Sequence, residues 1–152
     1  MNVSFLDLID LASEALGGKA LETNDEFFAE MQNLLKVGEA VFIPGKYTEN
    51  GKWMDGWESR RKRNVGPGND HDWCIIQLGL PGIVRGLSID TAHFTGNFPE
   101  YAAVDAIHSP TRPGPTANWT EILPRSRLQG GIKNLFPISE NRPVTHLRLR
   151  IF

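Results

Sequence analysis

The chain has 152 residues, 40% of them apolar and 22% charged, which fits one domain able to bury a core without disulfides or a metal. No run approaches the ~20 apolar residues of a membrane-spanning helix. Met1-Asn2-Val3-Ser4 places no basic residue ahead of its apolar stretch, as a secretory leader would. The single Cys74 cannot close an internal disulfide and lies in an apolar run, where a thiol is buried and inert. The composition predicts a cytoplasmic globular domain.

In chain order, residues 5–16 have helical apolar spacing closed by Gly17-Gly18. Residues 23–38 predict the strongest helix. Thr23 and Glu26 have capping-box spacing, Phe27, Phe28, Met31, Leu34 and Leu35 recur at helical intervals, and Gly38 follows as a stop. From Glu39 onward the period changes. Residues 40–43 form a short apolar run stopped by Pro44-Gly45. Strands are predicted at 73–80 and 83–90, more weakly at 101–107, 119–123 and 133–138, and most cleanly at 145–152. There Leu147, Leu149 and Ile151 alternate with His146, Arg148 and Arg150. That alternation runs into the C-terminus, which predicts a clipped strand with an unpaired apolar edge. Residues 64–70 and 109–118 read as loops. Many short strands joined by Gly/Pro turns predict an all-β sandwich or jelly roll.

Charge is uneven. Residues 1–50 carry nine acidic and three basic side chains, and the remainder thirteen basic and nine acidic. The basic part suits a small anion but is too dilute for nucleic acid. Three polar clusters carry candidate chemistry. The first, residues 53–63, holds Trp53, Asp55, Trp57, Glu58, Arg60 and Arg61, where carboxylates supply acids, bases or metal ligands and guanidinium forks bind carboxylates. A solvated loop anchored by its tryptophans explains the same residues. The second is His71 between Asp70 and Asp72, a proton shuttle, a metal ligand or simply a polar turn. The third, residues 90–97, places Asp90, His93 and Asn97 at a strand end. His108 and His146 read as structural. Nothing has zinc-site spacing, a nucleophile elbow or a phosphate loop.

Taken together, residues 11–28 (LASEALGGKALETNDEFF), 42–63 (FIPGKYTENGKWMDGWESRRKR), 71–74 (HDWC), 90–101 (DTAHFTGNFPEY) and 119–152 (including WTEILPRSRLQGG and THLRLRIF) resemble the allantoicase family. The resemblance implies a jelly-roll β-sandwich of the galactose-binding-like kind, with one or two short helices near the N-terminus, and reads residues 11–21 as largely extended. It implies that residues 1–152 are the first of the family's two repeats, lacking a last strand. The implied reaction converts allantoate and water to ureidoglycolate and urea in purine catabolism. It needs a cation for the substrate carboxylate, an acid for the leaving urea and a base for water. On that reading Arg60 or Arg61 binds the carboxylate with Trp57 beside it. Asp55 and Glu58 are acid/base or metal-binding groups, and His71 with Asp72, and His93 with Asn97, handle proton transfer and the urea-like groups. A divalent ion such as manganese suits these ligands. The expected partners are allantoate and a second repeat or a homo-oligomer, with neither nucleic acid nor membrane. The competing expectations are a non-catalytic jelly roll binding a small polar ligand with loop aromatics, and a repeat active only beside its partner repeat.

Overall fold

The alternation near the C-terminus organises the whole molecule. In the computed structural model, which describes residues 4–62, 66 and 70–152, the strands are β1 (Lys19–Thr23), β2 (Tyr47–Thr48), β3 (Gly51–Lys52), β4 (Asp72–Gly82), β5 (Gly86–Asp90), β6 (Tyr101–Ile107), β7 (Thr120–Arg127), β8 (Lys133–Pro137) and β9 (Val144–Ile151). Five of them form an antiparallel sheet in the order β1-β4-β9-β6-β7. The register sets Cys74 and Val104 on either side of Leu149, and Ile76 and Ala106 on either side of Leu147. Period-two alternation therefore gathers these side chains on one buried face. The β5–β8 pair adds a second layer, with Leu87, Ile89 and Phe136 packed against that core. The result is the expected all-β sandwich. Strand β9 is hydrogen-bonded along both edges, so the expected unpaired apolar edge is corrected: the cleanest strand in the sequence is the central one.

On the outer face of the sheet Asp105 is 3% exposed. Its carboxylate accepts from Arg148 Nε at 2.8 Å and from Arg150 Nε and a terminal guanidinium nitrogen at 2.9 and 3.0 Å. Arg150 also pairs with Glu121 at 2.7 Å. Arg148 donates to the Pro115 carbonyl and lies 5.2 Å from the Trp119 ring. The predicted loop at 109–118 thus packs onto this charged ladder.

No α-helix occurs among the described residues; three short 3-10 turns stand at Phe5–Asp7, Glu14–Leu16 and Met31–Leu35. The helix expected over 23–38 fails because its signals are used elsewhere. Thr23 ends β1 opposite Cys74, and its hydroxyl donates to the Trp73 carbonyl at 2.8 Å. The Glu26 carboxylate accepts from the Met31 N–H at 2.9 Å, capping only the 3-10 turn. Phe28 and Ala29 pair instead with the backbone of Glu58. The helix suggested by 5–16 is likewise two capped turns. Ser13 caps the second turn through Ala15 N–H, Gly17 takes a φ of 103°, and a Cβ on Gly18 would collide with the Ala12 carbonyl. The glycine pair turns the chain into β1. The run at 40–43 is an exposed loop, and the loop expected at 64–70 lies mostly outside the described residues.

Candidate functional site

Two loops meet beside the sandwich. Residues 91–97 follow β5 directly. The Thr91 hydroxyl donates to the Gln129 carbonyl at 2.6 Å and also lies 3.0 Å from the Ile132 carbonyl, and Asp90 accepts from the Ala92 N–H at 2.8 Å. This tight turn holds His93 at a φ of 69°, a left-handed conformation that costs energy in a non-glycine residue. The other loop runs from Lys36 to Trp57. Its β2–β3 hairpin pairs Tyr47 with Lys52, and Gly56 is pressed so close to Phe94 that a Cβ would meet the ring at 3.0 Å. Glu58 is fixed by its own backbone, donating to Ala29 C=O at 3.1 Å and accepting from Phe28 and Ala29 N–H at 3.1 and 3.2 Å.

Between these loops is a cavity of about 290 Å³ lined by Phe28, Asn50, Gly51, Lys52, Met54, Glu58, His93, Thr95 and Asn97. The Asn97 amide donates to Glu58 Oε2 at 3.3 Å. Burial raises the Glu58 carboxyl above the usual glutamate range, so it holds its proton more readily than an exposed one. His93 Nε2 stands 3.2 Å from the Ala40 carbonyl, and its ring stacks with Phe42 at 5.8 Å. The Lys52 ammonium is 4.7 Å from the Phe42 ring. The cavity therefore combines a cation, a carboxyl group, an imidazole and an amide. A second hollow, at Ile107, Thr120 and Val144, contains Glu140 and Arg142, which satisfy each other through two hydrogen bonds of 2.9 Å.

Of the residues singled out in the sequence, Glu58, His93 and Asn97 come together here. The others do not line this cavity. Asp55 lies behind it: burial raises its pKa, but the Val41 N–H and Lys36 outweigh that and hold the carboxyl below the usual range. Trp57 is 8% exposed within the core, its indole N–H donating to Asp25 C=O at 2.8 Å. Arg60 pairs with Asp25 at 3.0 Å and covers Phe27, and Arg61 donates to the Phe152 carbonyl at 2.8 Å. The His71 ring packs against Phe152. Asp70 Oδ1 stands 3.5 Å from His71 Nδ1, at ion-pair range but outside good hydrogen-bond geometry. Burial and Arg150 keep the imidazole below the usual histidine range despite Asp70.

Asp72, 1% exposed, accepts from Asn24 Nδ2 at 2.7 Å, Ser59 Oγ at 2.9 Å and Lys62 N–H at 3.0 Å. Its geometry is that of a stitch between β4 and the loop before it. Asp72→Asn replaces an acceptor oxygen by a donor facing other donors, and is expected to lower stability by about 1–3 kcal/mol in urea denaturation. Cys74 is fully buried, its thiol pushed up to about 12 by that burial and by Glu26, in keeping with an inert role.

Lys52, Thr95 and Asn50 were not singled out beforehand. Thr95 lies within the 90–97 cluster, and Asn50 with Glu49 makes the two-residue turn of the β2–β3 hairpin, in which Gly51 pairs with Thr48 and Lys52 with Tyr47. Among the described residues no group of three or more His, Cys, Asp or Glu side chains gathers as a metal would require. Among the described residues Glu58 is the only carboxylate lining the cavity, and it shares it with the cationic Lys52, so this donor set does not fit a divalent ion.

The profile of the family described as "Allantoicase repeat" matches residues 9–152. The chain belongs to the allantoicase family. It is 46% identical over 145 residues to "Probable allantoicase 1" of Burkholderia mallei, covering 95% of this chain and 42% of that protein. It is 47% identical over 144 residues to "Probable allantoicase" of Ralstonia nicotianae, covering 94% and 42%. The crystal structure of allantoicase from Saccharomyces cerevisiae superposes with a TM-score of 0.75 at 31% identity, covering 95% of this chain and 39% of that one. Another solved allantoicase structure gives 0.79 at 27% identity, over 95% and 44%. The sandwich is thus the jelly roll of the allantoicases, and this chain spans about two-fifths of the length of the relatives it matches.

Proposed function

We propose that this allantoicase repeat supplies a site for hydrolysis of allantoate to ureidoglycolate and urea, with the Glu58 cavity as the place of reaction. The observation that carries the reading is the convergence of Glu58, His93, Asn97 and Lys52 on one cavity in a chain of this family. Allantoate has a central carbon bearing a carboxylate and two ureido groups. Lys52 takes the carboxylate, the role that sequence reasoning gave to Arg60 or Arg61. The protonated Glu58 carboxyl gives its proton to the nitrogen of the departing urea, and the electron pair of the broken carbon–nitrogen bond leaves with that nitrogen. The lone pair of the remaining ureido nitrogen forms a carbon–nitrogen double bond as it does so, and that nitrogen passes its proton to the His93 imidazole. Water then adds to the carbon and gives its proton to the Glu58 carboxylate just formed, while His93 returns its proton to the nitrogen, which leaves both groups as they began. Asn97, already bound to Glu58, offers its amide to the ureido oxygen.

The test is urea release from allantoate by the 152-residue chain, and by a chain extended to the full length of its relatives, each against a heat-killed control. Release from the short chain establishes that one repeat works alone. Release only from the long chain makes this a repeat that acts beside its partner. No release from either overturns the reading.

A further inference from the structure

Asp55 is a carboxylate close to the cavity that the reaction above does not use, and its contacts give it a different task. Its Oδ1 accepts from Lys36 Nζ at 3.0 Å and its Oδ2 from the Val41 N–H at 2.9 Å. Both partners belong to the strap 36–42. Glu39, between them, is tied to Lys133 at 2.6 Å, and Phe42 lies on the His93 ring. The residue held in the middle is Ala40, whose carbonyl faces His93 Nε2. A carbonyl oxygen only accepts, so the facing ring nitrogen carries the proton.

We infer that Asp55 is a positioning residue, which clamps the strap so that the Ala40 carbonyl fixes the His93 ring with Nε2 as donor and leaves Nδ1 as its proton-accepting nitrogen. This rests on the reading of the Glu58 cavity as the reaction site, and refines it by taking Asp55 out of the proton-transfer steps. The clamp has a physical purpose. His93 sits in a left-handed backbone conformation at the tip of an exposed turn, where an unsupported imidazole would sample several rotamers. Anchoring the strap on both sides of Ala40 gives the ring one hydrogen bond and one stacking partner, which together define its plane.

The discriminating pair is Asp55→Asn and Asp55→Ala. The asparagine keeps a carbonyl oxygen for the Val41 N–H and loses only the Lys36 ion pair, whose exposed ammonium can turn to solvent. Alanine loses both anchors. For a positioning residue, Asp55→Asn is expected to keep kcat/KM within about threefold and Asp55→Ala to lose on the order of tenfold, chiefly in kcat. The second readout needs no turnover: the nitrogen-bound proton of the His93 ring, followed by NMR in the folded chain. It is expected to be sheltered from exchange in the wild type and in Asp55→Asn and exposed in Asp55→Ala, with melting curves checking that each variant folds. Equal loss of activity in both variants with an unchanged His93 signal would make Asp55 a proton-transfer group and overturn the inference. An unaltered His93 signal in folded Asp55→Ala would also overturn it, whether or not allantoate is the substrate.

Discussion

Glu58→Gln is expected to reduce kcat/KM for allantoate by roughly 10²–10³-fold, the usual contribution of a placed general acid or base. Glutamine preserves the shape of the side chain and its acceptance from Asn97, but cannot give a proton to the leaving nitrogen. Stability should move the other way. Burial raises the Glu58 pKa above its unfolded value, so between the two values the folded chain holds the proton and the unfolded chain does not. The associated stability is fully present below the unfolded pKa and is lost as pH rises through the folded one. Glutamine, neutral throughout, removes that loss. The variant should therefore melt at or above the wild-type temperature at neutral pH while its turnover collapses. In the wild type, kcat/KM should fall as pH rises through the Glu58 ionisation, and this limb should vanish in the variant. A folded Glu58→Gln protein with activity within threefold of wild type would remove Glu58 from the chemistry.

The second large effect is structural. Asp105→Ala leaves the guanidinium groups of Arg148 and Arg150, both mostly covered, facing the same empty space. Removing one partner from a buried ionic cluster costs about 3–5 kcal/mol, because the remaining charges keep their desolvation penalty without compensation. For a chain of this size that is a fall in Tm of roughly 10 °C. Asp105→Asn, which still offers one acceptor, should lose less. Differential scanning calorimetry of both variants decides the matter, and an alanine variant within 1 kcal/mol of wild type would mean that water or Glu121 takes over the carboxylate's role.

The strands were legible because a half-buried strand writes its register into the sequence. Leu147, Leu149 and Ile151 announce β9, and the observed β4, β6, β7 and β8 fall at or near their predicted places. Even Asp72 could have been read more fully, since it shares parity with Cys74, Ile76 and Leu78 and so faces the core rather than a site. The segment 23–38 misled because aromatic residues at helical intervals also serve an irregular chain that packs through Phe27 and Phe28, with rings 5.0 Å apart. The chemical types lining the candidate site can be read in the sequence, but their grouping into one cavity cannot. Glu58 and Asn97 are 39 residues apart and meet only because the loops around β3 and β5 converge. Trp57, Arg60 and Arg61 stand beside Glu58 in sequence but do not line the cavity: Trp57 lies in the core, Arg60 pairs with Asp25 and Arg61 donates to the Phe152 carbonyl. No periodicity distinguishes a guanidinium aimed at a substrate from one aimed at a carbonyl.

The place of β9 bears on how the molecule comes into being. Strands β1 and β4 on one side, and β6 and β7 on the other, touch within the large sheet only through residues 144–151. Until those residues have left the ribosome, the growing chain holds two halves of a sheet, each with an unfilled edge next to its apolar face, and must avoid pairing them wrongly or with another chain. Insertion of β9 closes both edges in one event between distant parts of the sequence, a topology associated with folding on the millisecond-to-second scale. Completion of this sheet therefore waits on residues 144–151.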